Sequence, residues 1–327
     1  MRLMLWIIAG LTALYCGYWA VASRAIRAGA EAAIARMRAE GTADVAAFDL
    51  AGFPARFDIT LQAPSLASGD GSFRWSAPEL RLYALSYRPQ HLIAVLPPEQ
   101  HLGIGQETIA VTSDELSASA VFGLASAAPL DHAQAVGKAV VLSSDAGWGL
   151  AADEVRAAVR RGADKTVQRV GIELLGLTLS GLPAEVVTAG GALPARGERF
   201  HLDATLGLDR PLDRFAAAGG LRVRSAEITA LALDWGPAGL TGQGAVALSA
   251  EGIPEGRIDL SLRNWRRVLR LGVALGLLRP ETAPTVERAA ESLARIGGNP
   301  EVLTLPLVFA GGRMSLGPIP LGPAPRF

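Results

Sequence analysis

Cysteine is almost absent from the 327 residues: Cys16 stands alone, so no intrachain disulfide can close and no thiolate cage can hold a metal. Charge is scarce too. Asp, Glu, Lys and Arg make up 19% of the chain and cancel to a formal net charge of zero, which leaves no electrostatic case for nucleic acid. The four histidines, His91, His101, His132 and His201, are remote from one another, and no second ligand motif accompanies any of them, so neither a metal nor a cofactor is expected. Gly103-Ile104-Gly105 lacks the third glycine and following helix of a dinucleotide loop and reads as a turn. Ser143-Ser144 and Ser180-Gly181 lack a nucleophile elbow. His201 and Asp203 share one face of a strand, while Asp131-His132 and Asp114-Glu115 lie in polar turns; without further partners these are solvated polar groups rather than catalytic pairs. The expectation is a chain that is not an enzyme.

What is present in quantity is apolar surface. Half of the residues are hydrophobic, with 37 Gly and 20 Pro, a composition that excludes a disordered tail and indicates a folded body. Between Arg2 and Arg24 the chain runs 21 residues without a charge, Leu3 to Ser23; at about 1.5 Å per helical residue this matches the roughly 30 Å of a bilayer's hydrocarbon. Residues 1–23 are therefore expected to form a transmembrane signal anchor. Ala20-Val21-Ala22 fits a small-x-small cleavage site, but the apolar run is longer than a signal core. Tyr15, Tyr18 and Trp19 suit the aromatic belt at the far end of a spanning helix. Ala13-Leu14-Tyr15 lacks the small residue that precedes a lipidated cysteine, so Cys16 reads as an inert thiol.

Orientation draws on opposed signals. Arg24, Arg27, Arg36 and Arg38 follow the span and only Arg2 precedes it, a bias toward a cytoplasmic body; large domains, however, translocate largely regardless of flanking charge. The reading adopted is a single-pass inner-membrane protein with its body in the periplasm.

Residues 24–40 predict a stalk helix. Ile26, Ala30, Ala33, Ile34 and Met37 recur at spacings of three and four, and Gly41 stops the pattern; the stripe packs on a sheet, or else lies on a membrane surface. Residues 41–327 then form an elongated β-rich body, either one domain or two related halves meeting near 150–165. Phe200, Leu202, Ala204, Leu206 and Leu208 alternate with polar or small neighbours, and Leu80, Leu82 and Ala84 do the same, the period of half-buried strands. Similar runs recur to residue 318 between Gly and Pro turns. Helices are predicted near 151–161, where Val155 and Val159 share a face, at 210–218, and as a pair at 264–278 and 284–296. The fold class is α+β, mainly β: a transmembrane helix followed by long curved antiparallel sheet, as an open groove or half-barrel, with packing helices.

Turn chemistry repeats. Gly52-Phe53-Pro54 resembles Gly252-Ile253-Pro254, Gly181-Leu182-Pro183 begins a third copy, and Trp75 to Pro78 and Trp235-Gly236-Pro237 form two Trp turns. Glycine permits the unusual dihedral and proline sets the next φ. Near residue 265, Trp265, Val268, Leu269 and Leu271 stand beside Arg263, Arg266, Arg267 and Arg270; this is a packing helix with a basic outer face, the alternative being a membrane-surface helix carried by Trp265, Arg266, Arg267 and Arg270.

The anchor, the Ala/Arg helix and the segments Phe48 to Phe57, Phe73 to Leu80 and Tyr87-Arg88-Pro89 resemble an uncharacterised bacterial family, domain of unknown function 2125. Its motifs are structural turns, and no site residue carries over. More loosely, the segment Leu305 to Leu321 together with the anchored strands is similar to AsmA-like envelope proteins, which implies a curved sheet with an apolar groove associated with lipid movement or outer-membrane assembly. Three functions follow as expectations. The first is binding or conducting membrane lipid, or another hydrophobic ligand, in the cell envelope; the second is a non-enzymatic assembly partner for envelope proteins; the third is an enzyme with a scattered site.

Overall fold

The computed structural model describes residues 2–181, 194–216, 221–274 and 280–326. The chain divides into two compact units, one of Met1–Leu124 with Ala135–Gly147 and the other of Ala125–Gln134 with Trp148–Phe327. Both are built of antiparallel strands, and three helices accompany twenty strands among the described residues.

The first unit opens with a single helix, α1 (Arg2–Ala39); residues 1–23 and 24–40 are thus one element, because no proline or capping residue interrupts them. Its end is a Schellman turn. The Thr42 amide donates to the Met37 carbonyl at 2.9 Å, the Gly41 amide to Arg38 at 3.1 Å, and Gly41 takes the left-handed conformation this closure requires, at φ +69°. Ile26, Ala30, Ala33, Ile34 and Met37 are half-buried, in step with their helical spacing.

The strands of this unit are β1 (Ala43–Asp44), β2 (Ala47–Ala51), β3 (Arg56–Gln62), β4 (Ser65–Ala67), β5 (Phe73–Ser76), β6 (Glu79–Leu85), β7 (Arg88–Leu96), β8 (Glu99–Ile104), β9 (Glu107–Thr112), β10 (Glu115–Phe122) and the end of β11 (Leu130–Ser144). They form five up-and-down arms, each broken once. β2 pairs β3, β3 pairs β6, β6 pairs β7 and β7 pairs β10; beyond the breaks β1 pairs β4, β4 pairs β5, β5 pairs β8, β8 pairs β9 and β9 pairs β11. The breaks fall side by side at Val45-Ala46, Ala63-Pro64, Ala77-Pro78, Pro97-Pro98 and Ser113-Asp114. Proline has no amide to donate, so the ladder bends where prolines collect in neighbouring arms. The bend stays bonded through non-proline amides: Ala63 donates to the Pro78 carbonyl at 2.8 Å, Ala77 to Pro64 at 3.2 Å and Ser113 to Pro98 at 2.9 Å.

The second unit is a meander of β12 (Gly149–Arg161), β13 (Val167–Ser180), β14 (Arg196–Leu208), β15 (Val223–Trp235), β16 (Ala238–Leu248), β17 (Pro254–Arg263), β18 (Val302–Ala310), β19 (Arg313–Leu316) and β20 (Ile319–Pro323), each paired with the next. Between β17 and β18 lie α2 (Trp265–Ala274) and α3 (Ala283–Ile296). Residues 151–161, expected to be helical, are strand. Val155, Ala157 and Val159 also alternate with Arg156, Ala158 and Arg160, and the cross-strand ladder to β13 selects period two over the Val155/Val159 helical spacing. The helix expected at 210–218 is also not found: its described residues, 210–216, are bends and turns. There Pro211 and the Asp213 carboxylate, which accepts the Phe215 amide at 2.9 Å, favour local turns over a helix. The helix pair is present, with residues 275–278 of its first member outside the described residues.

Candidate functional site

Register in the second unit brings the apolar halves of the alternating strands together. Across β12 to β18 one face carries Val155, Ala157 and Val159, then Val170, Ile172 and Leu174, then Phe200 and Leu202, then Leu231 and Leu233, Leu240, Leu260 and Leu262, and Leu303, Leu305 and Leu307. The opposite face carries Arg156, Glu173, Asp203, Thr241 and Arg257. The helices cover the β17–β19 end of the apolar face and reach β16: Trp265, Ala290, Ala294, Leu303 and Leu305 form a buried cluster against which Leu262, Leu269 and Leu316 pack. On β13 to β16 the large apolar side chains Ile172, Leu174, Phe200, Leu202, Leu231, Leu233 and Leu240 are all half-buried, while Ala204 is buried. Irregular register at Asp203/Ala204 and between Ile228 and Leu231 bends this part of the sheet.

The same face ends in a polar group. Gln168 follows the parity of Val170 and Ile172, opposite Arg161 on one side and Leu206 on the other. It is 2% exposed, and neither its amide nitrogen nor its amide oxygen has a protein partner, an arrangement that costs about 1–3 kcal/mol unless water or a ligand completes it. Beside it the Arg161 guanidinium donates to Asp131 at 2.7 Å, and Asp131 meets His132 Nδ1 at 3.0 Å. The hydrogen bond with His132, reinforced by the charge of Arg161, holds the Asp131 carboxyl below its usual range despite an opposing contribution from desolvation.

The first unit has a cleft of about 450 Å³ where the end of α1 meets β1, β4, β5 and β8. Several of its polar groups are engaged with the protein. Arg38 pairs with Asp44 at 2.6 Å, Arg74 donates to the Gly105 carbonyl at 3.3 Å, and Trp75 Nε1 donates to buried Gln100 at 3.0 Å. Ser76 and His101 stand opposite each other across β5 and β8 and both line it, but no hydrogen bond joins them.

The residues singled out in the sequence fall mostly at turns. Gly52 and Gly252 have φ of +97° and +75°, and Gly181 has +72°; Pro54 follows the first, Pro254 is fully buried after the second, and Pro183 lies outside the described residues. Pro78 is at the bend beyond Trp75. Trp235 covers Gly197 and donates to the Pro194 carbonyl at 2.8 Å, and the Pro237 carbonyl accepts the Asn264 side chain. His201 meets Asp203 at 3.1 Å opposite Glu173, and among the described residues no three metal-ligating side chains gather. Glu115 pairs with Lys138 at 2.8 Å, and Gly103 to Gly105 runs into the β8–β9 turn.

Trp265 corrects the membrane-surface alternative. It is 2% exposed with Nε1 donating to the Pro300 carbonyl at 3.0 Å, so it is a core residue unavailable to lipid. Arg266 lies over its ring and pairs with Glu291 at 3.2 Å, while Arg270 is exposed. The signal for Gln168 in the sequence is a glutamine in the apolar register of an alternating strand, in step with Val170 and Ile172.

No curated protein and no solved structure matches the chain. One family model does, over residues 19–325, nearly the whole length from the docked half of α1 to the last strand. The chain belongs to the family described as "Uncharacterized protein conserved in bacteria (DUF2125)".

Proposed function

We propose that this is a membrane-anchored periplasmic protein that binds or conducts lipid acyl chains, or another hydrophobic ligand, along the apolar face of its second unit. The observation that carries the reading is the run of half-buried Leu, Ile and Phe side chains on β13 to β16, continuous with the helix-covered core yet outside it. A methylene removed from water contributes about 0.8 kcal/mol, so roughly ten methylenes laid on this face offset a substantial association cost without a catalytic group. Gln168 and Arg161 at its polar end suit a headgroup that accepts hydrogen bonds. Support for anchoring comes from α1, one helix long and apolar enough to cross a membrane.

Photocrosslinkers at Leu202, Leu231 and Leu240 are expected to capture co-purified lipid from mild detergent, and crosslinkers at Asp203 and Thr241 on the other face are not. Equal capture from both faces, or reproducible absence of lipid by mass spectrometry, overturns the reading. The periplasmic assignment is tested separately by protease added to spheroplasts: degradation of the body is expected, and its protection would place it in the cytoplasm.

A further inference from the structure

The helix meets the body earlier than a stalk would. Leu3, Trp6 and Leu14 of α1 are 75%, 77% and 72% exposed, but from Tyr15 onward the helix is committed to two loop tips of its own unit. Tyr15 Oη and Ser86 Oγ lie 2.5 Å apart, Tyr18 Oη donates to the Ser86 carbonyl at 2.8 Å, and Trp19 Nε1 donates to the Arg56 carbonyl at 2.9 Å. The Trp19 ring meets Phe53 edge-on at 5.1 Å and stacks on Phe57 at 6.0 Å. The aromatic residues expected to face the lipid interface are therefore the docking seat of the body.

Leu3 to Leu14 precede this seat. Twelve helical residues cover about 18 Å, some 12 Å short of a hydrocarbon core of about 30 Å. Tilting the helix shortens its reach further. Thinning the bilayer by that amount costs a fraction of a kcal/mol for every ångström, several in total. Immersing the loop tips removes the mismatch, and their chemistry suits it. Gly52-Phe53-Pro54-Ala55 and Ser86-Tyr87 carry no charge; Phe53 is 57% and Tyr87 65% exposed, whereas Ser86, whose hydroxyl also reaches the Pro54 and Ala55 carbonyls, is fully buried. The polar atoms of Tyr15, Tyr18 and Trp19 are satisfied within the protein, as a dehydrated site requires. Arg56, paired with Asp58 at 3.0 Å, and Arg88 follow directly, and the exposed Arg88 can extend toward headgroups.

We infer that the loop tips Gly52–Ala55 and Ser86–Tyr87 are immersed in the leaflet on the body's side, with Phe53 and Tyr87 as its aromatic anchors, so that the first unit sits in the membrane surface. The inference rests on α1 spanning the bilayer, and the test separates the two. In the full chain with Cys16→Ala, single cysteines at Leu11, Phe53, Tyr87 and, on the turn at the opposite end of the arms, Gln106 are labelled with a fluorophore and reconstituted into phosphatidylethanolamine/phosphatidylglycerol vesicles. Part of the lipid carries a nitroxide on its acyl chain. Labels at Phe53→Cys and Tyr87→Cys are expected to be quenched about twofold, as at a depth of about 5–10 Å, and the label at Gln106→Cys to remain bright. Tyr87→Cys preserves the test if Phe53→Cys disturbs the Trp19 contact. A quenched Leu11 with bright labels at 53 and 87 overturns immersion while leaving the anchor; a bright Leu11 overturns the anchor and immersion together.

Discussion

Replacing Trp265 with alanine tests whether α2 is held by burial or is free to lie on another surface. The ring is 2% exposed and is enclosed by Ala290 and Ala294 of α3 and by Leu303 and Leu305 of β18. Truncating a buried tryptophan typically costs about 3–5 kcal/mol, because the small alanines opposite cannot collapse into the space. Loss of the 3.0 Å bond to the Pro300 carbonyl adds about 1 kcal/mol. With a urea dependence of roughly 2 kcal/mol per molar, the midpoint of the second unit falls by about 2–3 M. Trp265→Phe keeps most of the packing and leaves the Pro300 carbonyl to the Arg266 guanidinium at 3.4 Å, and is expected to lose about 1 kcal/mol. The two units need not unfold together, so the assay is urea-dependent hydrogen exchange of the full chain in detergent, read on peptides covering α3 and β18. A Trp265→Ala midpoint within about 0.3 M of the unaltered protein, a difference near 0.6 kcal/mol on the same slope, would refute the burial argument.

Two further outcomes follow from local geometry. At Gly256, φ is +149° and a Cβ would run into the Ala245 carbonyl and come within 2.8 Å of Val246 Cα, so Gly256→Val is expected to destabilise the second unit by about 2 kcal/mol or more. Gly298→Ala, at φ +84° with nothing near its Cβ, should cost only about 1 kcal/mol; equal urea midpoints for the two variants would contradict this reading. Asp70 is held at about 2, first by the Ser68 hydroxyl and then by the Ser72 amide and hydroxyl. Because this folded value lies below the unfolded one of about 3.9, its contribution is present above about pH 4 and lost as pH falls toward 2. The difference in urea midpoint between the unaltered protein and Asp70→Asn should shrink over that window, and a pH-independent difference would remove the carboxylate from the account.

The sequence by itself determined the elements whose cause is local or periodic. The uncharged run from Leu3 to Ser23 could only be a long apolar helix, Gly41 ended it, and the strict alternation from Phe200 to Leu208 specified a strand with one apolar face. Alternation also identified which residues of an unbroken strand share a face, but at the irregularity between Ile228 and Leu231 the parity switches and only register tells which side chains meet. Tertiary structure decided the rest. Residues 151–161 satisfy both a helical and a strand period, and only the ladder to β13 chose between them. Prolines in three of the five arms, Pro64, Pro78, Pro97 and Pro98, became part of a single bend once register placed them side by side. Trp265 could lie on a membrane or in a core, and the positions of α3 and β18, distant in the chain, put it in the core. Tyr15, Tyr18 and Trp19 carry the composition of a lipid-facing belt, but their partners at Ser86, Arg56 and Phe53 are brought up by chain reversals that no local pattern announces. A period tells which way a side chain points; what it meets there depends on contacts closed between residues remote in sequence.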